Sequence, residues 1–265
     1  MAFLQPVYTP ENCKVAYQLD WSYSLFWNSS PGTQSWLPEL KSILESDGIR
    51  ILNHRFTTEA SSLFLVSTRP EVLPIMIPQR IKGRLQHIVR NQHPQAFQRN
   101  YDLRSVGSTH RDKIEAYLAS QLAHHSKSGK SQSADLADLQ AIRPEVNLAQ
   151  EIYTAHARHI CNLHLVFVND YRWCEVQIQK LEKVRAVILL ASESKGHRLS
   201  RLSVLPDHIH LTIGYGLDES PLQIALSYMN NIAWVYDLQP VLMSSCYIAG
   251  FGEYDLGAIK LKKPV

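Results

Sequence analysis

The sequence is poor in cysteine: Cys13, Cys161, Cys174 and Cys246 lie far apart, with no CxxC pair among them. That spacing excludes a dense disulfide framework and argues against a structural zinc, and it fits free thiols in a reducing compartment. Long apolar runs are missing too, since none reaches the roughly 18 residues a membrane-spanning helix needs. The opening residues, with Pro6 and Pro10, lack the basic-then-apolar pattern of a secretory leader, so a cytoplasmic location is expected. Charge of one sign is scarce: 27 Lys and Arg against 24 Asp and Glu leave +3, which permits a nucleic-acid partner without requiring one. Apolar residues, by contrast, make up 45% of the 265, ample for a packed core and against disorder. Function has to be read from sites.

Residues 126–147 are small, polar and poorly periodic, and they separate two segments rich in apolar runs, as a linker does. Shifting the chain by about 146 residues gives a weak but continuous self-match. In the second half the pattern predicts a strand over 161–168, a helix over 176–194 ending at Gly196, strands over 198–205 and 208–213, a helix over 220–235 and a strand over 246–251. The first half repeats that order: a strand over 17–27, a helix over 36–46 stopped by Gly48, strands over 49–56 and 62–67, a helix over 74–91 and a strand over 101–105. Tyr101 falls opposite Tyr247, and Pro74 opposite Pro221 after a slip of one residue. The expected fold class is α+β, two tandem ferredoxin-like βαββαβ units with antiparallel sheets: 1–125, a linker over 126–149, and 150–265. After Gly107 the halves differ. The first continues into a helix over 111–125, with Thr109 and Asp112 forming a capping box, whereas the second ends in LKKPV, a poor helix.

Two constellations carry chemistry. His208 and His210 flank Ile209 in LPDHIHLTI, and strand alternation sends both imidazoles to one face and Ile209 and Leu211 to the other. A bare HxH is more often a pair of histidines bonded to their neighbours than half of a metal site; the flanking Pro-Asp and apolar run make the whole string more specific. On the 111–125 helix, Tyr117 and Gln121 are four apart and share a face beside the stripe Ile114, Leu118 and Leu122. Spacing alone favours a rim tyrosine and a solvated amide there.

LPDHIHLTI resembles the histidine-hydrophobe-histidine (HUH) signature of the small single-tyrosine transposases of insertion sequences and of their REP-associated relatives. NLHLVFVNDYRW resembles the first strand of that family and the Tyr-Arg after it, NYDLRSVGS its strand and glycine before the nucleophile helix, and EAYLASQ that helix itself. The resemblance spans most of both halves. It implies Tyr117 as nucleophile and a divalent cation, Mg²⁺ or Mn²⁺, held by His208, His210 and Gln121, with Zn²⁺ a competitor at two imidazoles. It also implies single-stranded DNA with hairpin ends as partner, and a 5′-phosphotyrosine intermediate that permits strand transfer without a nucleotide cofactor.

Where the first half should carry the histidine pair it reads ASSLFL, with Ser62 and Phe64 about where His208 and His210 align, so each half lacks what the other keeps. The chain resembles a dimer fused into a single-chain pseudo-dimer with one composite site, which self-association of two chains would double. Asn169-Asp170 stands where the family often has a lysine before Tyr-Arg. Arg80, Lys82 and Arg84, with His87 and Arg90 beyond them, read equally as a phosphate-binding face or an ordinary solvated one. Arg172, of the Tyr-Arg pair, joins the DNA-binding candidates. Against the transposase reading stand a domesticated protein that grips a nucleic-acid hairpin without cutting and a water-using metal hydrolase with a structural Tyr117. A nucleophilic Tyr247 or Tyr254 is disfavoured, the first matching a strand position and the second lying where no stable helix is expected.

Overall fold

A computed structural model describes residues 5–107 and 133–252. The class is mixed α+β. In the first half the elements are β1 (Lys14–Gln18), β2 (Asp20–Trp27), α1 (Leu37–Ser46), β3 (Ile49–Thr58), β4 (Ser61–Thr68), α2 (Met76–Val89) and β5 (Phe97–Val106). There follow α3 (Ser133–Asp138), β6 (Gln140–Ile142), β7 (Ile152–Tyr153), β8 (Ala157–Ile160), β9 (Asn162–Asn169), a 3-10 turn (Asp170–Arg172), α4 (Ile178–Ser194), β10 (Arg198–Val204), β11 (His208–Gly214), α5 (Pro221–Val235) and β12 (Leu242–Gly250).

Alternation makes the strands and sets their inner faces. On β2, Trp21, Tyr23, Leu25 and Trp27 are buried; on β9, Leu163, Leu165 and Phe167 are. The helices cover those faces with apolar stripes at helical spacing, Ile77, Ile81, Leu85 and Val89 on α2 and Leu181, Val184, Ile188 and Ala191 on α4. Helix α5 starts at Pro221 behind a capping box in which Ser220 and Gln223 satisfy each other's backbone N–H groups.

Among the described residues the strands form two six-stranded sheets, ordered β3-β4-β2-β5-β8-β7 and β1-β12-β9-β11-β10-β6. Within each, the four strands of one half run antiparallel to their neighbours, and the two parallel pairings, β5 with β8 and β1 with β12, join strands of different halves. The exchange is reciprocal. The strand expected over 17–27 is two strands, because the chain leaves one sheet at the buried Leu19 and enters the other; Cys161, also buried, does the same between β8 and β9.

The N-terminal segment accordingly packs on the second half: the Asn230 side chain accepts from the Val7 and Tyr8 amides and donates to the Tyr8 carbonyl, while the Tyr8 hydroxyl donates to the Leu242 carbonyl. Nor is 126–149 all linker. Leu136, Leu139 and Ala141 are buried, and β6 pairs with the edge strand β10.

Candidate active site

Strand β11 carries the histidine pair. Ile209, Leu211 and Ile213 point into the core, so His208 and His210 project from the opposite side, their ring centroids 4.9 Å apart and nearly perpendicular. Pro206 and Asp207 form the turn that delivers them, closed by the Leu205 N–H donating to the His208 carbonyl at 2.9 Å. That turn is braced from β9: the Asn169 amide donates to the Asp207 carbonyl at 2.9 Å and its side chain to the carbonyls of Pro206 (2.8 Å) and Trp173 (3.0 Å).

Each imidazole is oriented through Nδ1. For His208 the partner is Asp207 Oδ1 at 2.6 Å; for His210 it is Nε2 of His164 at 3.1 Å, the two rings stacked at 5.4 Å. Coordination by either ring would therefore run through Nε2, and contacts that fix a ligand's tautomer and rotation are already made. For His210 this requires its Nδ1–H to donate to His164. Both rings of that pair are neutral near pH 7: burial pulls His164 down to about 4, and burial with the neighbouring His164 and His208 pulls His210 down to about 3. Neither His164 nor Asp207 is singled out by sequence. Asp207 is adjacent to the motif, but His164 enters only through the β9–β11 register, which sets it opposite Thr212 and diagonal to His210.

The imidazoles of His208 and His210 fit a divalent cation as part of its shell. Among the described residues no group of three His, Cys, Asp or Glu side chains is placed to hold a metal. Tyr117 and Gln121 lie outside the described residues. Arg172 reaches the site, its guanidinium 3.7 Å from Asp207 Oδ2.

The other cationic candidates lie on α2. Helix α2 packs on the first sheet, where Lys82 donates to the carbonyls of Gln98, Arg99 and Asn100 at 2.8, 2.9 and 3.0 Å and lies over the Tyr101 ring. Arg84 makes a two-pronged ion pair with Asp47 at the end of α1. These contacts tie α2 to β5 and α1, while Arg80 is exposed.

The register also corrects the repeat alignment. Phe64 pairs with Tyr23 and Ser62 with Leu25, all on the helix side of the first sheet; Leu211 pairs with Leu165 on the helix side of the second. The positions matching His208 and His210 are therefore Ser61 and Leu63, one residue before Ser62 and Phe64. Likewise Tyr101, opposite Leu25, corresponds to Cys246, opposite Phe167, and not to Tyr247. No imidazole occupies the matching positions in either alignment. Tyr247 lies beside His164, its ring edge-on at 6.4 Å.

Residues 157–236 match the family model for IS200-like transposases. The matched stretch runs from the start of β8 to just past α5 and contains the His208–His210 strand, Asp207, His164 and Arg172. It supports transposase or endonuclease activity in DNA transposition and recombination for this IS200-like segment. No curated protein matches the chain. Among the described residues no helix is long and apolar enough to cross a membrane.

Proposed function

We propose that the protein cuts and rejoins single-stranded DNA through a 5′-phosphotyrosine on Tyr117, at one composite site completed by His208 and His210 from the other half of the chain. The observation that carries this reading is the histidine pair within the IS200-like segment, each ring oriented through Nδ1, which makes Nε2 the coordinating atom if the pair holds a cation. The sheet orders support two ferredoxin-like units, and the exchange of β1 and β8 between them supports a pseudo-dimer in a single chain.

A bound Mg²⁺ or Mn²⁺ would polarise the scissile phosphate. His208 and His210 would hold it with Gln121, and Asp207 and His164 keep the two rings in place. Arg172 would offset phosphate charge beside His208. The Tyr117 oxygen forms a new P–O bond as the bond from phosphorus to the 3′-oxygen breaks; the phenol gives up its proton and the departing 3′-oxygen gains one. Reversal with another 3′-hydroxyl rejoins the strand, because the phosphodiester energy is kept in the tyrosyl link.

The test is incubation with labelled single strands bearing hairpins and Mn²⁺, comparing wild type with Tyr117→Phe and Tyr247→Phe on a denaturing gel. A metal-dependent covalent adduct lost in Tyr117→Phe and kept in Tyr247→Phe is expected. Equal adduct from wild type and Tyr117→Phe rejects Tyr117 as nucleophile. A second reading, a domesticated hairpin-binding protein, is favoured by Ser61 and Leu63 standing where a second histidine pair would be, which leaves one site per chain; hairpin binding without any adduct would select it.

A further inference from the structure

The turn after β9 contains two consecutive left-handed residues that are not glycine, Tyr171 (φ 50°) and Arg172 (φ 52°). Side chains rarely adopt that conformation, and it costs about 1–3 kcal/mol per residue unless something nearby enforces it. Much enforces it here. The Asp170 amide donates to the Val241 carbonyl, the Trp173 amide to the Asp170 carbonyl, and the Asp170 carboxylate accepts from the Tyr171 amide, while the Asn169 side chain, at the start of the turn, donates to the Trp173 carbonyl at its end and to the Pro206 carbonyl. What this scaffold displays is a phenol ring 95% exposed, which gains almost nothing from packing. Beside it Arg172 leans on Asp207, the residue that orients His208.

We propose that Tyr171 is a stacking platform for an unpaired base of the single strand next to the scissile phosphate. The reading rests on the proposed function, since it takes the histidine pair to mark where that phosphate lies. A ring displayed in water from a braced backbone turn, beside a phosphate site, matches base stacking, which accepts any base and contributes about 1–3 kcal/mol per base. The two residues divide the nucleotide: Arg172 faces the backbone charge and Tyr171 the base plane. The platform also separates substrates, because a base paired within a duplex cannot place its face on the ring.

The experiment reads binding with chemistry off. Hairpin-bearing single strands carry 2-aminopurine at each flanking position in turn, and fluorescence and Kd are followed in EDTA for wild type, Tyr171→Phe and Tyr171→Asn; asparagine tolerates the left-handed backbone and so preserves the turn. Wild type and Tyr171→Phe should quench 2-aminopurine at one or two adjacent positions. Tyr171→Asn should lose that quench and weaken binding roughly five- to a hundredfold. An unchanged quench and Kd in Tyr171→Asn, or no quench in wild type, overturns the platform. A covalent adduct with a silent Tyr171→Asn rejects the platform and keeps the nuclease, whereas a Tyr171-dependent quench without any adduct keeps the platform and rejects the nuclease.

Discussion

His54 is 6% exposed, its ring against Trp36, Phe56 and Phe64, and neither of its ring nitrogens has a hydrogen-bond partner among the described residues. Burial pushes its pKa from 6.5 down to about 4. The unfolded chain thus takes up a proton between pH 6.5 and 4 that the folded chain refuses, so the folded state has its full stability above 6.5 and loses it as pH falls through 4, by at most about 1.4 kcal/mol per pH unit. Replacing His54 with Phe removes that dependence and an unsatisfied polar group worth about 1–3 kcal/mol. Urea unfolding at pH 7.0 and 5.0 should show His54→Phe more stable than wild type at both, by a wider margin at 5.0; an equal margin contradicts the assignment. Sequence alternation could not place His54 inside. Ile49 and Ile51 point to the core, and a bulge between Ile51 and Asn53 shifts the parity so that an even-numbered residue follows them. The same sensitivity explains the histidine pair. Its shared side was legible in HxH spacing, but its repeat partners were misread by one residue, and one residue exchanges the faces of a strand.

At the scale of elements, the helices and central strands were legible because their apolar periods are long and undisturbed: α2 was expected over 74–91 and spans Met76–Val89, and β11 was expected over 208–213 and spans His208–Gly214. The short strands β6, β7 and β8 were not, since strands of two to four residues carry too little pattern to stand out from a polar stretch. Where β5 and β12 end, the two halves come into backbone contact. A Cβ on Gly252 would lie 2.2 Å from the Ser105 carbonyl oxygen, and one on Gly107 would lie 2.6 Å from that of Gly250. Ser105 fastens the crossing, its hydroxyl donating to the Phe251 carbonyl at 2.9 Å and accepting from the Asn162 amide at 3.0 Å. Gly252→Ala must separate the strands and should cost at least about 2 kcal/mol in urea unfolding. Gly83→Ala, inside α2 with nothing within 4 Å, should instead stabilise by about 0.5–1 kcal/mol. If the two alanine variants move stability in the same direction, the crossing is not the tight contact described.

For the whole molecule, a repeated βαββαβ order was readable from a faint self-match, but the exchange of strands was not, because β1 and β8 look in sequence like the beginnings of β2 and β9. Pairing sends each outward: Lys14–Gln18 lie along Ser245–Ala249, and Ala157–Ile160 along Tyr101–Arg104. The second exchange buries charge as well as backbone. Asp102, 5% exposed, pairs with Arg104 and with Arg158, and Glu151 joins both arginines. A chain divided between residues 125 and 126 therefore strips each sheet of an edge. It leaves Asp102 without Arg158, and leaves Tyr8 and β1 with no sheet to join. A buried carboxylate that loses one partner costs several kcal/mol, a large part of the about 5–15 kcal/mol that a domain has. Residues 1–125 and 126–265 produced separately should lack dispersed amide NMR spectra and cooperative thermal unfolding, and their co-expression should restore both in a one-to-one complex. Either fragment folding cooperatively alone would show that the halves are independent domains, and that the proposed composite site would need only a tether between them.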